Sequence, residues 1–158
     1  MTPLIKTNWQ LFSEQMKDAC GDMESWILED TSLIGRLTDK YGEIILEVHS
    51  EKMCSFQDKE ISNIEVYGNF RQIYLLGSDK IVFAESFFSE AVIKHFPKFG
   101  ALGNEALGKY LFSHPNIEKK ETYVATYEYK GNEHTARKCI YSLSGELFSV
   151  IEVFLFNE

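Results

Sequence analysis

Residues 147–156 read Leu-Phe-Ser-Val-Ile-Glu-Val-Phe-Leu-Phe, and they constrain the fold more than any other stretch of the chain. Apolar side chains occupy both alternating sets of positions, which predicts a β-strand covered on both faces. Glu152 is the one ionisable residue in this strand, and its neighbours on the same face are Val150 and Phe154. Burying a carboxylate without a partner costs several kcal/mol. The fold must therefore supply a cation and hydrogen-bond donors to Glu152, or keep its side chain neutral.

Length and charge limit the classes of protein to which the chain can belong. With 158 residues, of which 44% are hydrophobic, it can bury one core, so we expect a single domain over residues 1–158. The net charge is −8 and no window concentrates Lys and Arg, so nucleic acid is not an expected partner. No apolar run reaches the roughly 20 residues of a membrane span, and residues 1–7 lack a signal-peptide core. We therefore expect a cytoplasmic protein.

Cysteine and histidine usage predicts neither a disulfide framework nor a metal site. The three cysteines are odd in number and widely spaced, which favours small buried side chains in a reducing compartment. They are Cys20, Cys54 and Cys139. The four histidines show no spacing typical of metal ligands, either with each other or with the cysteines. We expect no metal cofactor.

Hydrophobic periodicity divides the chain into helices and strands. One-sided apolar stripes predict helices over 8–20 and from Ser32, a natural N-cap, to Gly42. Alternating or β-branched runs bounded by turn residues predict strands over 43–49, 66–76, 81–88, 122–129, 134–143 and 147–156. The polar stretch 50–63 is predicted to be a loop, and 89–114 to be helical or irregular. Tight turns between neighbouring strands require antiparallel pairing, so we predict an α+β fold: a single antiparallel sheet of about six strands with helices on one face.

We looked for a cation that could pair with Glu152 on other predicted strands that are as apolar as residues 147–156. Arg71 is the best candidate, because Ile73 and Leu75 lie on its own face of a predicted strand. One interpretation is a plain cross-strand ion pair. The other is a pocket in which the guanidinium presents its fork to a carboxylate ligand while Glu152 faces the other end of that ligand. Glu85 is a rival acid for Arg71, and spacing alone does not rank the two acids.

Four short stretches resemble one known family, the chorismate pyruvate-lyases, which release pyruvate from chorismate to leave 4-hydroxybenzoate. They occur in the order in which the family has them, at 25–36, 71–75, 106–112 and 143–155. The resemblance implies an antiparallel sheet with helical flaps over an internal ligand pocket. It also implies a carbon–oxygen lyase that uses no cofactor, with chorismate as substrate and 4-hydroxybenzoate as product.

The resemblance also implies roles for individual residues. Arg71 matches the family's arginine that binds the ring carboxylate, and Glu152 matches the glutamate at the far end of the ligand, so both are predicted catalytic residues. Leu33 and Leu107 match the two flap positions that contact ligand, partly through backbone groups. Chorismate carries a second carboxylate, for which Lys109, Arg137 and Lys138 are candidates. Nothing in the sequence decides among these three.

The chain departs from the family pattern at Ala84-Glu85-Ser86. The better-known enzymes of respiratory-quinone synthesis, which serve ubiquinone biosynthesis, have Ala-Gly-Arg at these positions. Another branch of the superfamily has Ala-Glu-Ser and includes lyases that feed other pathways. The serine in place of an arginine therefore leaves open how the second carboxylate of chorismate is held.

Three functions remain in competition. In the lyase, Glu152 either acts as an acid or base or only forms a hydrogen bond, and a sealed pocket predicts product inhibition and release limited by flap opening, with Gly103 and Gly108 as hinges. The alternatives are a non-catalytic aromatic-carboxylate binding module of the same fold, and a structural domain in which Arg71 and Glu152 simply pair. Direct contact between those two side chains would favour the last. We expect a monomer in each case.

Overall fold

A single antiparallel sheet of eight strands curls into a half-barrel in the computed structural model, which describes residues 1–13 and 21–156. The strands are β1 (Leu4–Ile5), β2 (Gln10–Leu11), β3 (Ile45–Phe56), β4 (Val66–Leu76), β5 (Lys80–Ser89), β6 (Ile117–Tyr129), β7 (Asn132–Leu143) and β8 (Glu146–Phe154). Their order in the sheet is β1-β6-β7-β8-β5-β4-β3, and β2 pairs with β6 beside β1. The central strands are therefore β7, β8 and β5. Of these, β8 and β5 are rich in β-branched and aromatic residues.

Two tight turns fix the register of the central strands. Lys130 and Gly131 join β6 to β7, and Ser144 and Gly145 join β7 to β8. All four residues have positive φ, between 51° and 91°, which is the backbone of the two-residue hairpin turns that match strand twist. The second turn places Leu143 opposite Glu146 and, further along the ladder, Arg137 opposite Glu152.

The described residues include four short helices, which pack on one face of the sheet. They are α1 (Glu24–Ile27), α2 (Leu33–Tyr41), α3 (Glu90–His95) and α4 (Gly108–Leu111), with 3₁₀ turns at Gly21–Met23 and Pro97–Gly100. Ser32 caps α2 by accepting a hydrogen bond from the Gly35 N–H at 3.0 Å, and Gly42 ends the helix, as the sequence predicts. No helix in the described part of the chain is long and apolar enough to cross a membrane.

Two apolar clusters on this face leave a space between them. One cluster packs Trp26 and Leu37 against β4, β5 and β8, and the other is built on Phe88, Phe99 and Phe148. Packing of the guanidinium of Arg36 over the Trp26 ring, 3.7 Å from its centroid, closes the outer side of the first cluster. The functional cavity described below lies between the two clusters.

The predicted antiparallel α+β sheet is confirmed, and three details differ from the expectation. The sheet has eight strands rather than about six, because two-residue strands precede the six long ones. β3 runs to Phe56, so the loop predicted over 50–63 is wrong for its first half. β3 is an edge strand paired on one side, and most of its polar residues face solvent, which hides its period in the sequence. The helix predicted over 8–20 lies partly outside the described residues, and its described part contains β2, held to β6 by pairing of Gln10 and Leu11.

Candidate functional site

A cavity of about 280 Å³ lies on the helix-bearing face of the sheet. Its floor comes from β4, β5, β7 and β8, and it is covered by two segments that we call the first cover segment, residues 24–41, and the second cover segment, residues 101–113. Leu33 opens α2 in the first and Leu107 precedes α4 in the second, and both line the cavity. Most of the lining is apolar. The ionisable residues in it are Arg71, Glu85, Lys109, Arg137, Tyr141 and Glu152.

Arg71 lies on β4 at the cavity floor and is 2% exposed. Its Nη2 donates hydrogen bonds to the carbonyl oxygens of Gly103, at 2.8 Å, and Glu105, at 2.7 Å, in the second cover segment. Its Nε is buried and has no hydrogen-bond partner among the described residues. Burial lowers the pKa of Arg71, against the effect of the nearby Glu51 and Glu105 carboxylates. A guanidinium remains charged at neutral pH, so an unused donor of a buried cation is present in the cavity wall.

Glu51 on β3 is the acid that faces Arg71 across the sheet. Its carboxylate accepts hydrogen bonds, each of 2.9 Å, from the Asn69 side chain and from the N–H groups of Leu102 and Gly103. Burial raises the pKa of Glu51, yet these bonds and the Arg71 charge leave it below its usual range. Gly103 is thus held through its N–H by Glu51 and through its carbonyl by Arg71. A hinge at Gly103 would have to break both contacts, which leaves Gly108 as the better hinge candidate of the two.

Glu152 obtains its cation from Arg137 rather than from Arg71. Arg137 Nε donates to Glu152 Oε1 at 2.6 Å, and the two side chains are 4% and 14% exposed. Arg71 and Glu152 line the same cavity, and no hydrogen bond or ion pair joins them in the described structure. By the criterion set above, the interpretation of these two residues as a plain ion pair is not supported.

Arg137 also binds the first cover segment. Its Nη1 donates to the carbonyl oxygens of Trp26 at 2.9 Å, Ile27 at 3.2 Å and Glu29 at 2.8 Å. Burial acts against the charged form of Arg137, but the Glu152 carboxylate raises its pKa overall. The sequence signal for the pairing of Arg137 with Glu152 was the turn at Ser144 and Gly145, which places the two residues opposite each other.

Lys138 does not reach the cavity, so its prediction as a contact to a carboxylate there is wrong. Successive residues of a strand point to opposite faces, and Arg137 occupies the cavity face. The Lys138 ammonium is buried on the other face, where it bonds Asp58 and Glu60, each at 2.5 Å. Lys109 does line the cavity, and its largely exposed side chain bonds Glu105 at 3.2 Å. Of the three candidates for a second carboxylate, Lys109 is the one that lies in the lining and has a largely exposed side chain.

Glu85 and Ser86 both belong to the cavity lining, but as successive strand residues their side chains point to opposite faces of the sheet. Ser86 pairs with Arg71 in the ladder and lines the cavity, while the Glu85 carboxylate accepts a 2.6 Å hydrogen bond from Gln72 Nε2. Burial raises the pKa of Glu85, and the Gln72 bond and the Lys138 charge only partly oppose this. Glu85 is therefore a neighbour of Lys138 on the other face and is not the partner of Arg71. Among residues 1–13 and 21–156, no group of three or more His, Cys, Asp or Glu side chains is placed to hold a metal ion.

Comparison with family models identifies the family to which the chain belongs. The family model described as chorismate lyase matches residues 4–158, essentially the whole chain. The chain belongs to the chorismate lyase family. No individual curated protein matches it. The chorismate lyase match covers every element that lines the cavity, including both cover segments and the strands that carry Arg71, Arg137 and Glu152.

Glu85→Gln is expected to stabilise the protein at neutral pH. Because burial raises the pKa of Glu85 in the folded state, its effect on stability is neutral below the pKa of the unfolded chain and becomes unfavourable as pH rises through the folded-state pKa. A glutamine at this position still accepts from Gln72 but does not ionise. Urea unfolding should therefore give a higher free energy of unfolding for the variant at pH 7.5, and a difference that disappears near pH 4. Glu60→Gln, which removes a partly exposed acid from the same Lys138 neighbourhood, is the control and should lack this gain. An equal stability of Glu85→Gln and the native protein at pH 7.5 would show that Glu85 is not buried as described.

Proposed function

We propose that this protein is a chorismate lyase that eliminates pyruvate from chorismate to give 4-hydroxybenzoate. The observation that carries the proposal is that Arg71 and Glu152, the two predicted catalytic residues, line one cavity without a hydrogen bond or ion pair between them in the described structure. Arg71 is bound to the second cover segment and Glu152 to Arg137. A volume of about 280 Å³ lies just below the range of ligand pockets, roughly 300–1,000 Å³. A cavity of that size suits a substrate with one ring.

The reaction requires orientation and exclusion of water more than it requires a strong acid or base. The ether C–O bond breaks, the neighbouring ring carbon loses its hydrogen, and the ring becomes aromatic. The enolpyruvyl fragment gains a proton and leaves as pyruvate, so no oxidant or reductant is consumed. In the proposed complex, Arg71 binds the ring carboxylate through the unused Nε side of its guanidinium, and Glu152 accepts a hydrogen bond at the opposite end of the ring. Leu33 and Leu107 close the cavity over the ring and keep it dry.

The same groups would hold a small aromatic acid without converting it, so a binding module is the second candidate function. An assay with purified protein separates the two: chorismate is added, and 4-hydroxybenzoate and pyruvate are measured together. We expect both products in equal amounts. In Arg71→Ala we expect kcat/KM to fall by at least about 100-fold, because a buried hydrogen bond to a charged group contributes roughly 1.5–3 kcal/mol. The variant also loses the hydrogen bonds that hold the second cover segment. Arg71→Lys is the matched control, because it keeps the positive charge but loses the paired N–H donors of the guanidinium.

The outcomes of this assay exclude one another. Chorismate that survives while 4-hydroxybenzoate still binds in calorimetry would assign the protein as a binding module. Neither turnover nor binding would refute both functions. Circular dichroism and thermal unfolding of each variant show whether a loss of activity reflects the site or a loss of the fold.

Lys109 is proposed to bind the enolpyruvyl carboxylate, because it lines the cavity and replaces in charge the family arginine that is absent at Ser86. Lys109→Met should raise the KM for chorismate by about tenfold, the lower part of the range for a charged hydrogen bond, since the lysine is exposed. Its effect on binding of 4-hydroxybenzoate, which has one carboxylate, should be small. Lys98→Met is the matched control: Lys98 also bonds Glu105 but lies outside the cavity lining. Equal effects of the two substitutions on KM would exclude the proposed role.

Release of the product is proposed to limit turnover. 4-Hydroxybenzoate keeps the ring carboxylate and the hydroxyl group, so it satisfies Arg71 and Glu152 as chorismate does. It leaves only when a cover segment opens, and the Gly103 and Glu105 carbonyls are hydrogen-bonded to Arg71. Rapid mixing of enzyme with excess chorismate should give a burst of 4-hydroxybenzoate close to one equivalent, followed by a slower steady state. A linear time course from the first turnover would refute this.

A further inference from the structure

We propose that Arg137 is a positioning residue, which holds Glu152 as a carboxylate in a fixed orientation and thereby makes it an acceptor of a hydrogen bond from the ligand. The inference rests on the proposed function only where it names the ligand. It differs from the expectation drawn from the sequence, in which Arg137 was a candidate contact for the second carboxylate of the substrate.

The first step is the geometry of the pair. Arg137 and Glu152 are direct partners in the β7–β8 ladder, so the sheet itself places both side chains on the cavity face. The bond between Arg137 Nε and Glu152 Oε1 is short, at 2.6 Å, and the arginine side chain is 4% exposed. Glu152 makes no other hydrogen bond among the described residues, which leaves Oε2 for a ligand in the cavity that Glu152 lines.

The second step is that the arginine is fixed at both ends. The carbonyl oxygens of Trp26 and Ile27, at the end of α1, and of Glu29, two residues beyond it, accept from Nη1. The last carbonyl groups of a helix lack partners within the helix and need donors from elsewhere. The guanidinium therefore satisfies backbone groups on one side and Glu152 on the other, and it would have to break these contacts to follow a ligand. This geometry favours positioning over direct binding of the second carboxylate.

The third step is the charge of Glu152. Its neighbours on the same face are Val150 and Phe154, and burial among apolar side chains favours a neutral carboxyl group. A hydrogen-bonded cation in a poorly solvated site favours the carboxylate instead. The other ionisable groups around the pair are Cys139 and Tyr141 on β7, Arg71 on β4, Glu85 on β5 and Lys109 in the second cover segment. None of these makes a hydrogen bond to Glu152 among the described residues, so Arg137 is the cation that is bonded to it.

The consequence concerns the chemistry at the far end of the ligand. A carboxylate accepts hydrogen bonds and does not donate them. Glu152 would therefore accept from the ring hydroxyl, which chorismate and 4-hydroxybenzoate share, and would not protonate the ether oxygen. Arg137 acts on the ligand only through Glu152.

The charge of Glu152 is tested without any ligand. In protein carrying ¹³C-labelled glutamate, the side-chain carboxyl signal of Glu152 is identified by its absence in Glu152→Gln. At pH 7 we expect this signal at the carboxylate position in the native protein and in Arg137→Lys, and shifted towards the protonated position in Arg137→Gln. Lys138→Gln, which alters the neighbouring buried cation on the opposite face, is the control and should leave the signal unchanged. A fully ionised Glu152 in Arg137→Gln would overturn the proposal.

The route of action is tested by a double-mutant cycle on binding of 4-hydroxybenzoate, measured by calorimetry. Arg137→Gln should weaken binding by about 10–100-fold in the native background, as expected for a charged hydrogen bond, and by no more than about threefold in the Glu152→Gln background. An equal effect in both backgrounds would show that Arg137 contacts the ligand itself or acts only on the fold. If Arg137→Gln fails to fold, Arg137→Lys replaces it in the cycle, since lysine cannot bond Glu152 and the carbonyl oxygens of residues 26, 27 and 29 together. If the protein neither converts chorismate nor binds 4-hydroxybenzoate, the proposed function fails, and the NMR measurement still decides the role of Arg137.

Discussion

The cavity depends on two guanidinium groups that are buried against the sheet and hydrogen-bonded to the backbone of the segments above it. Arg71 bonds two carbonyl oxygens of the second cover segment, and Arg137 bonds three carbonyl oxygens of the first. Each arginine is accompanied by one acid on a neighbouring strand, Glu51 for Arg71 and Glu152 for Arg137. A buried cation without such partners would cost several kcal/mol. The two cover segments, the two acids and the cavity between them therefore form one electrostatic unit.

Two consecutive residues of β7 bind segments that lie on opposite faces of the sheet. Arg137 points towards the cavity, while Lys138 points to the opposite face and bonds Asp58 and Glu60. Asp58 also accepts a hydrogen bond from the Ser149 hydroxyl on β8, so the loop after β3 is tied to two central strands. Removing one partner of a buried charged pair is more destabilising than the pair itself is stabilising. Substitutions at Lys138 are thus expected to act on stability rather than on the ligand.

Much of the fold could be predicted because its turns and caps have strong local signals. Ser32, Gly42 and the positive-φ turns all bound elements that are present as predicted. Each incorrect prediction has a single physical cause. β3 was shortened because a solvent-facing edge strand needs no apolar alternation. The partner of Glu152 was missed because the cation was sought on a strand of equally apolar character, whereas the two-residue turn at Ser144 and Gly145 places Arg137 directly opposite Glu152.

The site residues were less predictable than the strands that carry them. Arg71, Glu152, Leu33 and Leu107 do line one cavity, and the resemblance to the family named them. Glu51 and Asn69 were not considered. Glu51 holds the second cover segment at Leu102, Asn69 holds the preceding Phe99, and these contacts join positions separated by 30 or more residues in sequence. Periodicity reports which face a residue occupies. It does not report which distant loop will fold over that face.

The balance of charge in the cavity bears on how a dianion such as chorismate would be bound. Both arginines already have an acid beside them, Lys109 bonds Glu105, and the chain as a whole carries a charge of −8. Long-range attraction would therefore contribute little, and affinity would depend on directed hydrogen bonds in a dry space. Elimination converts one dianion into two separate monoanions. In the proposed complex Lys109, at the exposed edge of the cavity, would retain a contact only with pyruvate, while 4-hydroxybenzoate would keep both of its own contacts, to Arg71 and Glu152. Pyruvate would then leave first, and opening of a cover segment would be needed for the aromatic product alone.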